Sequence, residues 1–364
     1  MNERSTFRSL VQVLLEPSRL GTFYCILSAG FYTLMGACQR ELSENCDPVW
    51  VNCVQASVST VVFGIYLTSM SVRGKPAWPT FAVAGSLMML GIVTQLGGAS
   101  YQWSLGVIGL AIGNPMQMGV MLVSAAILGW FILRERISWR AMTAILLITV
   151  SIMFLSTGAE EAHEAMREAG STAAQPIVVE GGSGTDPQTA EFSGFFWTMA
   201  GIGATCFSGL AFAILTVGMR KTATEETSPE AIVFFINCMG ILFLGPWALA
   251  RLGLGGIMAT SARDLGIMLM IGMCNLLAFF LIAKALQLTS VVRVNVINNA
   301  VTTALTVLVG IMVFAEPANS SLIVGIVLTC IGIVLIGTSE ADAGKVETPV
   351  MATSPEPVAA DEGG

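Results

Sequence analysis

The sequence predicts an all-α integral membrane protein, with ten transmembrane helices laid out as two inverted five-helix repeats around a central cavity. Three observations carry that prediction. The composition is too apolar for water, the charges punctuate the chain at span-length intervals, and a sequence pattern recurs after an odd number of spans. Hydrophobic residues make up 54% of the 364 and charged ones 11%, and the mean hydropathy is +0.75. Soluble domains carry about 25% charged residues, so this chain cannot dress a water-facing surface. The net charge of −7 is local: seven acids fall in 160–191 and six in 340–364, and the rest of the chain is net basic. Those stretches read as solvated segments, and no basic patch with interleaved aromatics points to nucleic acid.

A charge in mid-bilayer is costly, so runs free of Asp, Glu, Lys and Arg mark the spans. In order they are 20–39, 48–72, 76–133, 141–159, 192–219, 231–250, 265–283, 294–315 and 317–339. A spanning helix needs about 20 residues. Eight runs therefore hold one helix each, and 76–133 holds two, with the break expected in the Gly/Ser/Tyr stretch 97–106. With the N-terminus inside, thirteen Lys and Arg fall on inner segments and four (Arg40, Arg167, Arg251 and Arg263) on outer ones. That bias places both termini in the cytoplasm. Residues 1–19 then read as a cytoplasmic lead-in and 20–158 as the first five-helix repeat. Residues 159–191 read as a flexible extracytoplasmic acidic linker, 192–339 as the second repeat, and 340–364 as a disordered acidic cytoplasmic tail.

The repeat shows in two segments. "GNPMQMGVMLVSAAILGWFILRERISW" starts at Gly113 and "NVINNAVTTALTVLVGIMVFAEPANS" at Asn295. Both begin polar, turn apolar, and end in a Gly followed six residues later by a Glu: Gly129 and Glu135, Gly310 and Glu316. At the same offset of 181, residues 129–158 and 310–339 share six identities in thirty. Five spans per half is odd, so the second half enters the membrane upside down. The loops agree: RERISWR is basic and inner, EPANSS has no base and is outer. Inverted repeats around a midplane site are a transporter arrangement, because exchanging the two halves' conformations alternates access.

The stretches "ILRERISWRAMTAILLITVSIMFLST" (132–157) and "AKALQLTSVVRVNVINNAVTTALTVLVGIMVFAEPANSSLIVGIVLTCIGIVLIG" (283–337) resemble the drug/metabolite transporter superfamily, EamA-type, whose members carry two five-helix repeats. Each shows a helix ending in Glu, then a further apolar helix with small residues. "GASYQWSLGVIGLAIGNPMQMG" (98–119) looks more like the glucose/ribose porter branch, with its Tyr-Gln, Ile-Gly and a Pro twenty residues before the Glu, as Pro115 stands before Glu135. The resemblance implies sugar uptake or export of amino acids or other metabolites, with a structural role for Glu135. With the short connections, it also implies a bacterial plasma membrane.

Polar groups in lipid face a cavity or a partner helix. In the ninth span Asn295, Asn298, Asn299, Thr302 and Thr306 share one helical face, and in the fourth Asn114, Gln117, Met118, Met121 and Ala125 do the same. The first span gives Cys25, Ser28, Tyr32, Met35 and Gln39, the second Asn52, Gln55 and Ser59, the sixth Thr198, Thr205 and Ser208. The candidate substrate-binding set is Tyr32, Gln55, Gln102, Asn114, Gln117, Lys284, Asn295, Asn298, Asn299 and Thr302. Amides and hydroxyls suit a polar neutral or zwitterionic solute. The competing reading is that they bond neighbouring helices as glue. Pro115 is expected to bend the fourth span. Lys284 and Arg293 flank the turn between the eighth and ninth spans, where they either bind an anionic group or snorkel to the inner interface.

Other classes find little support. The one His, His163, lies in the acidic linker, and none of the eight Cys forms CxxC, so metal or cofactor binding is not expected. A membrane enzyme would need a nucleophile and base or metal ligands at one interface, and none is visible. A sensor or assembly protein without transport activity remains the alternative, with the acidic linker as its working part. The expected partners are the lipid bilayer and a small-molecule substrate; a homodimer stays open, since Gly109-xxx-Gly113 allows close helix approach but is too common in membrane helices to argue for one.

Overall fold

A computed structural model describes residues 17–75, 78–133, 139–168, 187–222, 228–288, 291–316 and 319–346. Among these residues every element is helical, in ten rods. They are α1 (Pro17–Leu42), α2 (Pro48–Val72), α3 (Phe81–Ile108), α4 (Leu110–Leu128, continued by a π turn at Gly129–Leu133) and α5 (Trp139–Glu168). They continue with α6 (Pro187–Thr222) and α7 (Pro229–Met239, a π turn at Gly240–Leu244, then Gly245–Met258). The last are α8 (Ala262–Leu288), α9 (Val291–Val313) and α10 (Ser320–Val346). Seven of them (α1–α4 and α6–α8) hold a stretch long and apolar enough to cross a bilayer. The other three hold shorter apolar stretches, Met142–Leu155, Ile297–Val313 and Ser320–Leu335. Large apolar side chains stand exposed around the bundle, Ile65, Phe81, Leu146 and Met312 among them, as a lipid-facing surface requires.

Local chemistry starts several rods. Asp47 caps α2, accepting from the Val49 and Trp50 amides at 2.9 and 3.2 Å with Pro48 behind it. Ser228 caps α7 ahead of Pro229, and the Asn319 side chain accepts from the Leu322 amide at 2.8 Å to open α10. Each satisfies an amide that the helix start leaves without an internal partner.

The break between α3 and α4 falls later than the sequence predicts. The helix runs unbroken through 97–106 and stops at Gly109, whose φ of 79° carries the turn. The small residues upstream serve close packing instead: a Cβ on Gly97 would come within 2.6 Å of the Ala211 side chain, and one on Gly98 within 2.8 Å of Asn52 Oδ1.

The packing has an exchange symmetry. The main helix pairs between halves are α1 with α8, α3 with α6, α5 with α10, α4 with α6, α1 with α9, α2 with α8, α3 with α7, α2 with α7, and α4 with α9. Adding five to each label in the first half, and subtracting five in the second, maps this set onto itself. The senses follow from side chains. Leu90 meets Gly218 and Val107 meets Gly201, so α3 and α6 are antiparallel. Gln102 and Gly106 of α3 lie against Gln39 and Ser43, at the end of α1, so α1 and α3 share a sense. Hence α1 and α6 run in opposite senses. Ion pairs at one end tie the halves together: Asp47 to Arg251 at 3.2 Å, Glu41 to Arg263 at 2.7 Å, and Arg40 to Glu316 at 3.1 Å. That is the end the charge bias assigns to the outside. All eight cysteines are free thiols.

Candidate polar seam

Helices α1 and α9 lie side by side in the same sense. Cys25 clusters with Val294, and a Cβ on Gly36 would sit 3.8 Å from the Thr306 methyl. That register sets Tyr32 level with Thr302. The same Gly36 position is 3.3 Å from Leu110, at the start of α4. Glycine at 36 thus lets α1, α4 and α9 meet, with α3 behind them through Tyr101, Leu105 and Leu110.

Along this seam buried polar atoms lack partners. Among the described residues, the buried side-chain oxygens without a hydrogen bond are those of Gln39 (Oε1), Ser59, Tyr101, Gln102 (Oε1), Asn114 (Oδ1), Asn298 (Oδ1), Thr302 and Thr303. Seven of these eight residues belong to α1, α3, α4 and α9. An unsatisfied buried acceptor costs about 1–3 kcal/mol, so a run of them marks a place built to be filled. Elsewhere the bundle uses its polar groups as glue: Ser28 donates to Ala278 O at 3.0 Å, Ser151 to Gly325 O at 2.5 Å, and Gln95 to Ile236 O at 3.4 Å.

The structure sorts the expected site residues. Gln102, Asn114, Asn298 and Thr302 are buried with an unpaired oxygen on the seam. Tyr32 on α1 and Asn299 on α9 are half-buried. Gln55 is half-buried and accepts from Gln39 Nε2 at 3.2 Å, at the α2 edge of the seam. Gln117 turns to the other side of α4, donating to Ser208 Oγ of α6 at 2.8 Å, which is the glue role. Lys284 is exposed, its Nζ 5.6 Å from the Phe280 ring. Asn295 lies in α9, but its side chain, like those of Arg293 and Glu135, lies outside the described residues. Pro115 lies inside α4, where it leaves the Ala111 carbonyl without its usual amide. Tyr101 and Thr303 join the seam without being expected from the sequence. Tyr101 was legible there as the neighbour of Gln102, Thr303 only as a second hydroxyl beside Thr302.

One more feature was invisible in the sequence. Glu316, which has no base near it in the chain, finds Arg40 at 3.1 Å, 276 residues away, with both side chains at least nine-tenths buried. The Glu316 carboxylate also accepts from the Leu110 and Ala111 amides at 2.7 and 2.6 Å. Those are the first amides of α4, which has no side-chain cap of its own. An anion at a helix N-terminus meets both the free donors and the positive end of the helix dipole. Arg40 is further held by Glu44 at 2.8 Å and Ser43 at 3.2 Å, and lies 5.7 Å from the Phe314 ring centre. The Gly-to-Glu spacing thereby gains a meaning: Glu316 folds back over Gly310, where a Cβ would stand 2.6 Å from its Oε2. This cluster lies at the same end of the bundle as the other ion pairs between the halves.

The EamA-like transporter family profile matches the chain twice, over residues 19–157 and 199–338, each match taking in five of the ten rods. No curated protein matches. Among solved structures, a crystal structure described only as that of a protein superposes with a TM-score of 0.52 at 13% identity, covering 91% of this chain and 99% of its own. That likeness bears on the fold alone.

Proposed function

This multi-pass membrane protein belongs to the EamA-like transporter family, and from that premise we propose that it is a secondary transporter, moving a small polar metabolite across a bacterial plasma membrane by alternating access. All ten rods cross the bilayer in this reading, as two inverted repeats with both termini in the cytoplasm. The exchange symmetry of the packing and the opposite senses of α1 and α6 support the inversion.

The observation that carries the proposal is the run of unpaired buried oxygens where α1, α4 and α9 meet. A solute entering the seam supplies the missing partners and leaves by whichever end opens. The Arg40–Glu316 cluster is the outer seal, because it joins the end of α9, from the second repeat, to the end of α1 and the start of α4, from the first. Opening outward separates these parts; opening inward leaves them closed.

Flux into proteoliposomes from a panel of sugars, amino acids, amines and small carboxylates tests this. One class should be transported, and Thr302→Val should lower that flux at least tenfold while the protein keeps its fold. A protein that binds solutes but moves none of them would favour the sensor reading instead.

A further inference from the structure

The chemistry of the seam narrows the solute, given that the seam is the transport site. We propose that the transported solute is an organic amine, held by its ammonium N–H groups. Every unpaired buried side-chain atom among the described residues is an oxygen, and four of the eight are amide carbonyl oxygens, which only accept. The hydroxyls of Ser59, Tyr101, Thr302 and Thr303 accept as well as donate. Two of the amide nitrogens are engaged: Gln102 Nε2 donates to Gln39 O at 2.6 Å, and Gln39 Nε2 to Gln55 Oε1 at 3.2 Å. The Gln102 amide cannot be turned the other way, because its oxygen would then face the Gln39 carbonyl. All eight unpaired groups can accept and only the four hydroxyls can also donate, which favours a solute that brings donors.

Charge points the same way. Among the described residues of the seam's helices and their ends, the cation Arg40 is already bound to Glu316 and Glu44, so that cluster is net negative. Lys284 is exposed and lies on α8, outside the seam's four helices. Nothing described along the seam neutralises a carboxylate or a phosphate. Carbonyl and hydroxyl oxygens can instead replace the hydration shell of a small cation, as they do in ion filters. From Asn298 to Thr303 the unpaired acceptors of α9 extend along about 7.5 Å of helix, which favours an extended amine over a compact one.

The test is thermal unfolding of the purified, detergent-solubilised full chain with 1,4-diaminobutane, its permethylated diammonium analogue, succinate and glucose. The diamine should raise the Tm saturably, and the analogue, which has no N–H, should not. Thr302→Val and Asn298→Leu should each weaken the response about tenfold, the loss of one hydrogen bond to a charged group. Thr302→Val should unfold no earlier than wild type without ligand, so that loss is not misfolding. An equal shift from the analogue, a shift only from succinate or glucose, no shift from any of the four, or a diamine shift that both variants keep would each overturn the amine assignment. The flux panel separates the two proposals: a sugar or carboxylate carried through the seam ends the amine assignment and leaves transport standing, while no flux of anything ends both.

Discussion

At the residue scale, the account rests on which buried polar atoms have partners. Thr302 Oγ is buried and unpaired, so Thr302→Val, nearly the same shape, removes a desolvated oxygen without opening a cavity. Stability without ligand should hold or rise by about 1 kcal/mol, measured as the midpoint of denaturant unfolding, while flux falls. Glu316→Gln is the opposite case. It leaves the Arg40 guanidinium buried without the partner at 3.1 Å, and losing one member of a buried pair costs about 3–5 kcal/mol. Glu44, still 2.8 Å from Arg40, should hold the loss near 3 kcal/mol. A double mutant with Arg40→Met should lose less than the two single changes added together. The sequence showed the polar face of α9 because helical periodicity is local. It could not show that Gln117 is engaged by Ser208 while the Oδ1 of Asn114, one turn earlier, has no partner. Nor could it show Arg40 meeting Glu316 across 276 residues. Partnership is a property of the packed bundle.

At the element scale, the junction of α3 and α4 is the most constrained backbone described. Gly109 takes φ 79°, and a Cβ there would lie 2.7 Å from the Glu316 carboxyl carbon. Gly109→Ala adds backbone strain of about 1–3 kcal/mol and displaces the carboxylate that caps α4. It should therefore lower the Tm and reduce flux together. Gly203→Ala is the contrast: the position is in mid-helix with nothing within 4 Å of the added carbon. Helix propensity alone should stabilise it by about 0.5–1 kcal/mol, seen as a small rise in Tm with flux unchanged. The helical rods were legible from charge spacing because lipid penalises charge wherever it occurs, and seven of the ten hold a stretch long and apolar enough to cross a bilayer. The break in 76–133 was not, since glycines that turn a chain and glycines that admit a neighbouring helix look alike in sequence. Gly97 and Gly98 are of the second kind, Gly109 of the first.

At the scale of the whole molecule, the claims are orientation and the relation of the halves. Cys46 sits half-buried in the turn between α1 and α2, at the end assigned to the outside. Burial first, then the Asp264 and Asp47 charges, push its thiol above the ordinary 9.0. In a chain with its other seven cysteines replaced, an impermeant maleimide should label Cys46 from outside intact cells only. A raised thiol pKa means less thiolate at neutral pH, so labelling should be slow there and keep accelerating through pH 9, where an unshifted thiol levels off. The opposite senses of α1 and α6 were legible in the sequence, because an odd number of helices per repeat forces them. The mapping of α1/α8 onto α6/α3 is their counterpart in packing. The Arg40–Glu316 cluster was not legible, because Glu316 caps a helix from the other repeat.

The central claim is that the seam conducts a solute only if the halves separate at the Arg40–Glu316 end. Its most direct test is flux through Arg40→Cys/Glu316→Cys protein in proteoliposomes, before and after bridging the two thiols with a reducible bifunctional reagent, in a chain otherwise free of cysteine. The account predicts measurable flux before bridging, none while bridged, and recovery on reduction. Undiminished flux through fully bridged protein would contradict it, since the solute would then be crossing without the outer end ever opening.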